Sequence, residues 1–215
     1  MKWVLTTSRI LIALTGLVVL LSVPMTVAQA ATPDKPLAPG VIDDFRDTKT
    51  NPWEFITDKV MGGKSTGKME FVTHEDRPSL HLTGSVSSKK KNNFIQARRP
   101  VDPKKKYFNA SDYDGLRLKV KSSSATYAVH FKTSSTLFPW QHYQAEFKTV
   151  DGWQEVIIPF KDFKPQSLRR TIKTSKLKTI GIVAMKKDMK VDLYIHEIAF
   201  YKKVDLKDTS AATDR

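Results

Sequence analysis

Apolar side chains recur at every second residue along most of this chain, a period that builds strands and excludes long amphipathic helices. Over residues 115–121, Leu116, Leu118 and Val120 fall on one side while Arg117, Lys119 and Lys121 fall on the other. That is the pattern of an antiparallel strand with one face in a core and one in water. Tyr127, Val129 and Phe131 alternate in the same way with Ala128, His130 and Lys132, as do Tyr143, Ala145 and Phe147 with His142, Gln144 and Glu146. The same reasoning predicts strands over 69–73, 79–85, 93–99, 153–159, 178–185 and 191–201. In the last of these the apolar phase shifts between Ile195 and Ile198. One inserted residue near His196 and Glu197, a β-bulge, accommodates the shift. Short strands joined by SSS, DG and NN loops leave two sheets packed face to face as the economical arrangement. Helix is expected only in short pieces such as 160–163. The expected fold is an all-β sandwich of jelly-roll type in a single domain.

The N-terminus carries a separate signal. Lys2 and Arg9 precede an apolar run over 10–21, Pro24 breaks the polar stretch after it, and Ala28-Gln29-Ala30 supplies the small residues of a cleavage site. Residues 1–30 read as a secretory signal peptide cut before Ala31. An uncleaved anchor is the alternative, because the apolar character continues with interruptions to Ala28. The expected location is secreted or periplasmic. Residues 31–40, ATPDKPLAPG, form a Pro-rich linker, 41–202 the sandwich domain, and 203–215 a polar tail.

The chain has a formal net charge of +14 at pH 7, and the signal segment contains no acidic residue, so the exported part stays strongly basic. Such a protein is drawn to acidic glycans, lipid headgroups or acidic protein faces, less strongly as salt rises. Export and the absence of a recognised motif argue against nucleic acid, and membrane association is expected to be peripheral at most. Without cysteine there is no disulfide, thiolate metal site or thiol nucleophile, so stability must come from the core.

Residues 53–71, WEFITDKVMGGKSTGKMEF, imitate a phosphate-binding loop at Gly63-Lys64-Ser65. The pattern needs a glycine five residues earlier, where this chain has Asp58, and no amphipathic helix comes after it. The stretch reads instead as a tight turn, Met61-Gly62-Gly63, between strands. Asp58 at its start is expected to accept N–H bonds within the loop rather than to act in catalysis, since no partner acid or base is evident. Asp43 and Asp44 could help hold calcium, but a full oxygen cage is not visible. His74, His81, His130, His142 and His196 are scattered in sequence, with neither i,i+4 pairing nor H-E-x-x-H, so zinc is unsupported and no cofactor is expected.

The outward alternates His130, His142 and Gln144 are the candidate ligand-binding residues, with Trp140 as an apolar platform beside them. The plainer alternative packs Trp140 on the sandwich rim and leaves the histidines facing water. Gln96 and Arg98 share the face of Phe94 in a regular strand and either extend that groove or, in the case of Arg98, pair with an acid.

Four segments in order carry a family resemblance: TDKVMGGKSTG, FIQARR, YDGLRLKVK, and YQAEFKTVDGWQEVIIPFKDFKP with a closing IGIVAMKKDMKVDLYIHEIAFY. Over about residues 44–201 the chain resembles the intermediate-associated protein family of NADH:ubiquinone oxidoreductase (complex I). Asp58, Met61, Gly62, Gly63 and Ser65 match its D-x-V-M-G-G-x-S turn. Arg98 is retained, while Asn92-Asn93 stand where the family often has a glycine pair. The resemblance implies a galactose-binding-like jelly roll, related in shape to carbohydrate-binding modules. The mitochondrial member is an assembly chaperone for complex I rather than an enzyme. A signal peptide takes this chain away from the compartment where the matrix arm of that complex is built, so the fold is implied and the client is not. The expected function is an exported, non-catalytic binding or assembly-assisting module for a protein or glycan partner of anionic character. The alternatives are a carbohydrate-active enzyme on an acidic polysaccharide and an electrostatic binder of envelope polyanions.

Overall fold

A computed structural model describes residues 37–89 and 93–203. The signal segment, residues 31–36 of the linker and residues 204–215 of the tail lie outside the described residues. The chain forms β1 (Val41–Asp43), β2 (Glu54–Thr57), β3 (Thr66–His74), β4 (Arg77–Val86), β5 (Phe94–Pro100) and β6 (Gly115–Ser122). It continues through β7 (Ala125–Thr133), β8 (His142–Thr149), β9 (Gly152–Pro159), β10 (Lys164–Gln166), β11 (Leu177–Met185) and β12 (Met189–Tyr201). Single 3₁₀ turns occupy Asp58–Met61, Phe160–Asp162 and Thr174–Lys176.

Two six-stranded antiparallel sheets face each other. The back sheet runs β3-β4-β12-β6-β9, with β1 also paired to β12, and the front sheet runs β10-β8-β7-β11-β5-β2. The alternation decides the faces. Leu116, Leu118 and Val120 of the back sheet and Val129, Phe131, Ile180 and Ile182 of the front sheet are fully buried between the layers. Each such side chain stabilises the fold by about 1.5–3 kcal/mol. The 3₁₀ turn at Phe160–Asp162 aims two rings inward, and Phe163 packs 5.0 Å from Phe131 while Phe160 lies 6.0 Å from Phe200.

The phase shift in β12 is a bulge: Ile195 pairs with Val120 and Glu197 with Lys119, leaving His196 as the extra residue. It allows Leu193 and Ile195 before it, and Ile198 and Phe200 after it, all to reach the core. The short strands β1 and β10 were not expected from the sequence, whereas β2 is the strand expected, without bounds, before the turn. The sheet edge near β1 is fixed by a buried ion pair between Asp43 and Arg99, with Trp53 Nε1 donating to Asp43 Oδ2 at 2.9 Å and Arg99 Nη1 donating to the Ile42 carbonyl at 3.0 Å. Asp43 is thereby engaged, and Asp44 pairs with Arg46. Among the described residues no group of three or more His, Asp or Glu side chains is disposed to hold a metal.

Candidate functional site

Strand register builds the site on the outer face of the front sheet. One cross-strand row runs Lys164, Gln144, His130, Gly181, Arg98, Glu54, and the next runs Glu146, Ala128, Val183, Gln96, Ile56. The middle of the face is low. Gly181 has no side chain, and a Cβ there would overlap the Gln96 amide, which lies across it. Ala128 and Val183 form the adjoining floor and are themselves buried.

Along β8 and β7 the polar groups form a connected chain. The rings of His130 and His142 stack with centroids 3.9 Å apart. His130 Nε2 lies 3.2 Å from Gln144 Oε1, and Gln144 Nε2 donates to Glu146 Oε1 at 3.1 Å. Because an amide oxygen only accepts, His130 Nε2 carries the proton. Glu146 in turn pairs with Lys186. His142 Nδ1 donates to the Trp140 carbonyl at 2.9 Å, which leaves Nε2 as the ring's acceptor, and that atom is buried without a partner.

Burial pushes His130 down to about 3, the neighbouring His142 ring adding to it and the Gln144 hydrogen bond opposing it. Burial also lowers His142, opposed by its bond to the Trp140 carbonyl and by the nearby Gln144 side chain. Both imidazoles are therefore neutral at neutral pH. Their N–H groups are already spent on Gln144 and on the Trp140 carbonyl, so the imidazoles keep only acceptor nitrogens, whereas a general base would be poised near the working pH.

Of the sequence-derived candidates, Gln96, Arg98, His130, His142 and Gln144 share this face. Arg98 Nη2 is bonded to Glu54 Oε2 at 2.8 Å, so it forms a rim already engaged with an acid. Trp140 stands at one end on the β7–β8 loop, and its ring stacks on Phe138 at 5.0 Å and 5°. It joins the histidines through its carbonyl. At the opposite end of the face, Thr126, Ala128, Glu146, Met185, Lys186 and Lys187 line a cavity of about 240 Å³. Sequence reasoning missed Phe138, Gly181 and Lys186. A glycine in an outward position of a buried strand was the available signal for Gly181.

The turn over 58–65 has its own logic. Thr57 caps the 3₁₀ turn by accepting from Lys59 N–H at 3.3 Å, and Gly62 ends it at φ 73°, where only glycine is at ease. The chain then doubles back so closely that a Cβ on Gly63 would overlap the Asp58 carboxylate. Buried Asp58 accepts Ser65 N–H at 3.0 Å and Ser65 Oγ–H at 2.7 Å, and Ser65 Oγ accepts Ser87 N–H at 3.2 Å. Gly62 N–H and Gly63 N–H bond back to Lys59 and Asp58 carbonyls. The amides a phosphate would need are consumed and a carboxylate fills the cradle, so the glycine pair serves the turn. Val60 and Met61 are left 74% and 59% exposed.

The remaining histidines are scattered in sequence and gathered in space. On the outer face of the back sheet Tyr194 lies between His74 at 4.0 Å and His81 at 3.8 Å. Trp153 lies beside them under Arg77, and its Nε1 donates to Glu75 Oε2 at 2.6 Å. The long-range strand pairings, invisible to spacing rules, bring these rings together.

The turn and the two-sheet sandwich coincide with a known family: the model for complex I intermediate-associated protein 30 (CIA30) matches residues 43–195. The chain belongs to the CIA30 family. Among curated proteins none matches it. Among solved structures, the CIA30 domain is similar to the family 11 carbohydrate-binding module from Clostridium thermocellum in complex with a β-1,3-1,4-mixed-linked tetrasaccharide. The TM-score is 0.62 at 12% identity, covering 76% of this chain and 95% of that one. The family 11 module of the cellulosomal cellulase Lic26A-Cel5E from the same organism gives 0.61 at 11% identity, covering 78% of this chain and 96% of that one. At such identities the likeness is one of fold: the CIA30 chain is a galactose-binding-like jelly-roll sandwich.

Proposed function

We propose that this chain is an exported, non-catalytic binding module that takes a glycan across the outer face of its front sheet. The observation that carries the reading is the row of neutral imidazole and amide groups around the Gly181 depression, with His142 Nε2 buried and unpaired. Sugar hydroxyls both donate and accept, and a turn of the His142 ring that brings this nitrogen to the surface would let a hydroxyl satisfy an acceptor that otherwise costs stability. Lys132, Lys164 and Lys186 at the margins favour an acidic chain over a neutral one. The tetrasaccharide carried by the similarly folded family 11 module supports the class of ligand. Affinity for a panel of neutral and uronic-acid oligosaccharides, measured by calorimetry, tests it. His142→Ala and Gln144→Ala are expected to weaken binding about tenfold each, with no sugar cleaved. A blank panel overturns the reading.

A protein client is the second reading, favoured by Val60 and Met61, which stand out from the family's own turn. It predicts a complex that Val60→Ser with Met61→Ser abolishes and His142→Ala leaves intact.

A further inference from the structure

The loop between β7 and β8 holds apolar side chains away from the protein. Leu137, Phe138 and Trp140 are 80%, 51% and 61% exposed. The loop is nonetheless tied down. Leu137 N–H and Phe138 N–H both donate to Gln141 Oε1, at 2.8 and 3.2 Å. Gln141 N–H returns to the Phe138 carbonyl at 3.1 Å, and Gln141 Nε2 reaches the Ser167 carbonyl at 3.0 Å. Lys132 Nζ holds the Pro139 carbonyl at 2.7 Å, and His142 holds that of Trp140. These bonds turn the loop's polar groups inward and leave a tip of one aliphatic side chain and two stacked rings.

The tip has a cationic collar. Gln141 to Ser167, Ser134 N–H to the Lys176 carbonyl at 3.1 Å and Tyr143 Oη to the Thr171 carbonyl at 3.2 Å fasten the loop to the connection between β10 and β11. That connection exposes Arg169, Arg170, Lys173 and Lys176, and no Asp or Glu occurs between Lys164 and Lys178. Among the described residues none of these four cations is in an ion pair.

We propose that this pole docks the protein on an anionic lipid surface. Leu137, Phe138 and Trp140 enter the boundary between headgroups and acyl chains, where amphipathic aromatic rings are most at ease, while the four cations lie over the headgroup phosphates. A lipid surface fits better than a second glycan subsite. Leu137 has no face for a sugar to stack on, and the loop spends its hydrogen-bonding groups on itself. A few inserted side chains with a cationic patch give reversible attachment, well short of a spanning helix. The side chains that insert differ from those that face the glycan. His142 and Lys132 brace the loop from the glycan face, and the variants of the docking pole leave both in place, so either activity can fail alone.

The full chain as purified from producing cells, its N-terminus read by mass spectrometry, is sedimented with vesicles of phosphatidylcholine and of phosphatidylcholine mixed with phosphatidylglycerol. Binding is expected to the mixed vesicles, with a blue shift of tryptophan emission and a decline as salt rises. Phe138→Ser with Trp140→Ser, and separately Arg169→Glu with Arg170→Glu, are each expected to weaken it about tenfold or more. The substituted side chains are exposed, so melting temperatures should match the wild type. Absent binding overturns the proposal, as does equal binding to both vesicles. Binding that neither variant changes also overturns it, the result a retained N-terminal apolar segment would give. So does capture by soluble polygalacturonate that needs Trp140 while vesicles bind nothing.

Discussion

At the scale of single residues, Asp58 is the most connected group on the family turn. Its carboxylate is the acceptor that holds Ser65, and Ser65 in turn holds the backbone of Ser87 across the start of the β4–β5 connection. Asp58→Ala removes two charge-assisted bonds and leaves the Ser65 donors buried without partners. It is expected to lower the unfolding free energy by about 2–4 kcal/mol, read from urea denaturation. Gly63→Ala should act in the same direction, because the added methyl displaces that carboxylate. Wild-type midpoints in both variants would refute this account of the turn. The role of Asp58 as an acceptor was legible from its residue type and place. The reason for Gly63 was not, because a motif does not show which side chain folds back against the glycine.

At the scale of elements, period two identified which strands exist and which side of each faces the core. It therefore put His130, His142, Gln144, Gln96 and Arg98 on outward positions. It was silent on pairing partners: that β11 runs between β7 and β5, so that Gly181 separates His130 from Arg98, is a long-range fact. Strands of three or four residues, β1, β2 and β10, are too short to alternate and take their form from neighbours. The loop behind Trp140 was underread for a related reason, since the bonds from Gln141 that keep Phe138 and Trp140 outside depend on the adjoining β10–β11 connection. The depression around Gly181 gives a test of the element it interrupts. Gly181→Val suits a strand, and the group nearest its Cβ is the movable amide of Gln96. The fold should persist with a near-native melting temperature, while filling the floor weakens oligosaccharide binding about tenfold by calorimetry. Unchanged affinity would remove the depression from the binding face.

At the scale of the whole molecule, the sandwich separates its tasks: apolar residues between the sheets, neutral polar groups on the front face, and cations with exposed rings at one pole. Acid challenges the front face first, because neutral imidazoles are packed there against each other, with Lys186 and Lys132 disfavouring their charged forms. An unfolded histidine takes up a proton near 6.5, whereas folded His130 does so only at about 3. Between those values the unfolded state binds more protons, so the contribution of His130 is complete above the upper value and is lost as pH falls toward the lower one. His142, lowered in the same direction, adds to the loss. Carboxylates titrate mainly below pH 5, so the interval from pH 7 to pH 5 isolates the histidines. Over it, His130 alone is expected to cost about 1–2 kcal/mol of unfolding free energy. His130→Gln keeps a donor toward Gln144 and cannot be protonated. Urea unfolding at both pH values should therefore give a clearly shallower decline in this variant than in the wild type. Equal declines would mean that His130 is as readily protonated in the folded chain as in water. The stacked pair would then be an open surface rather than part of the buried floor on which the proposed ligand rests.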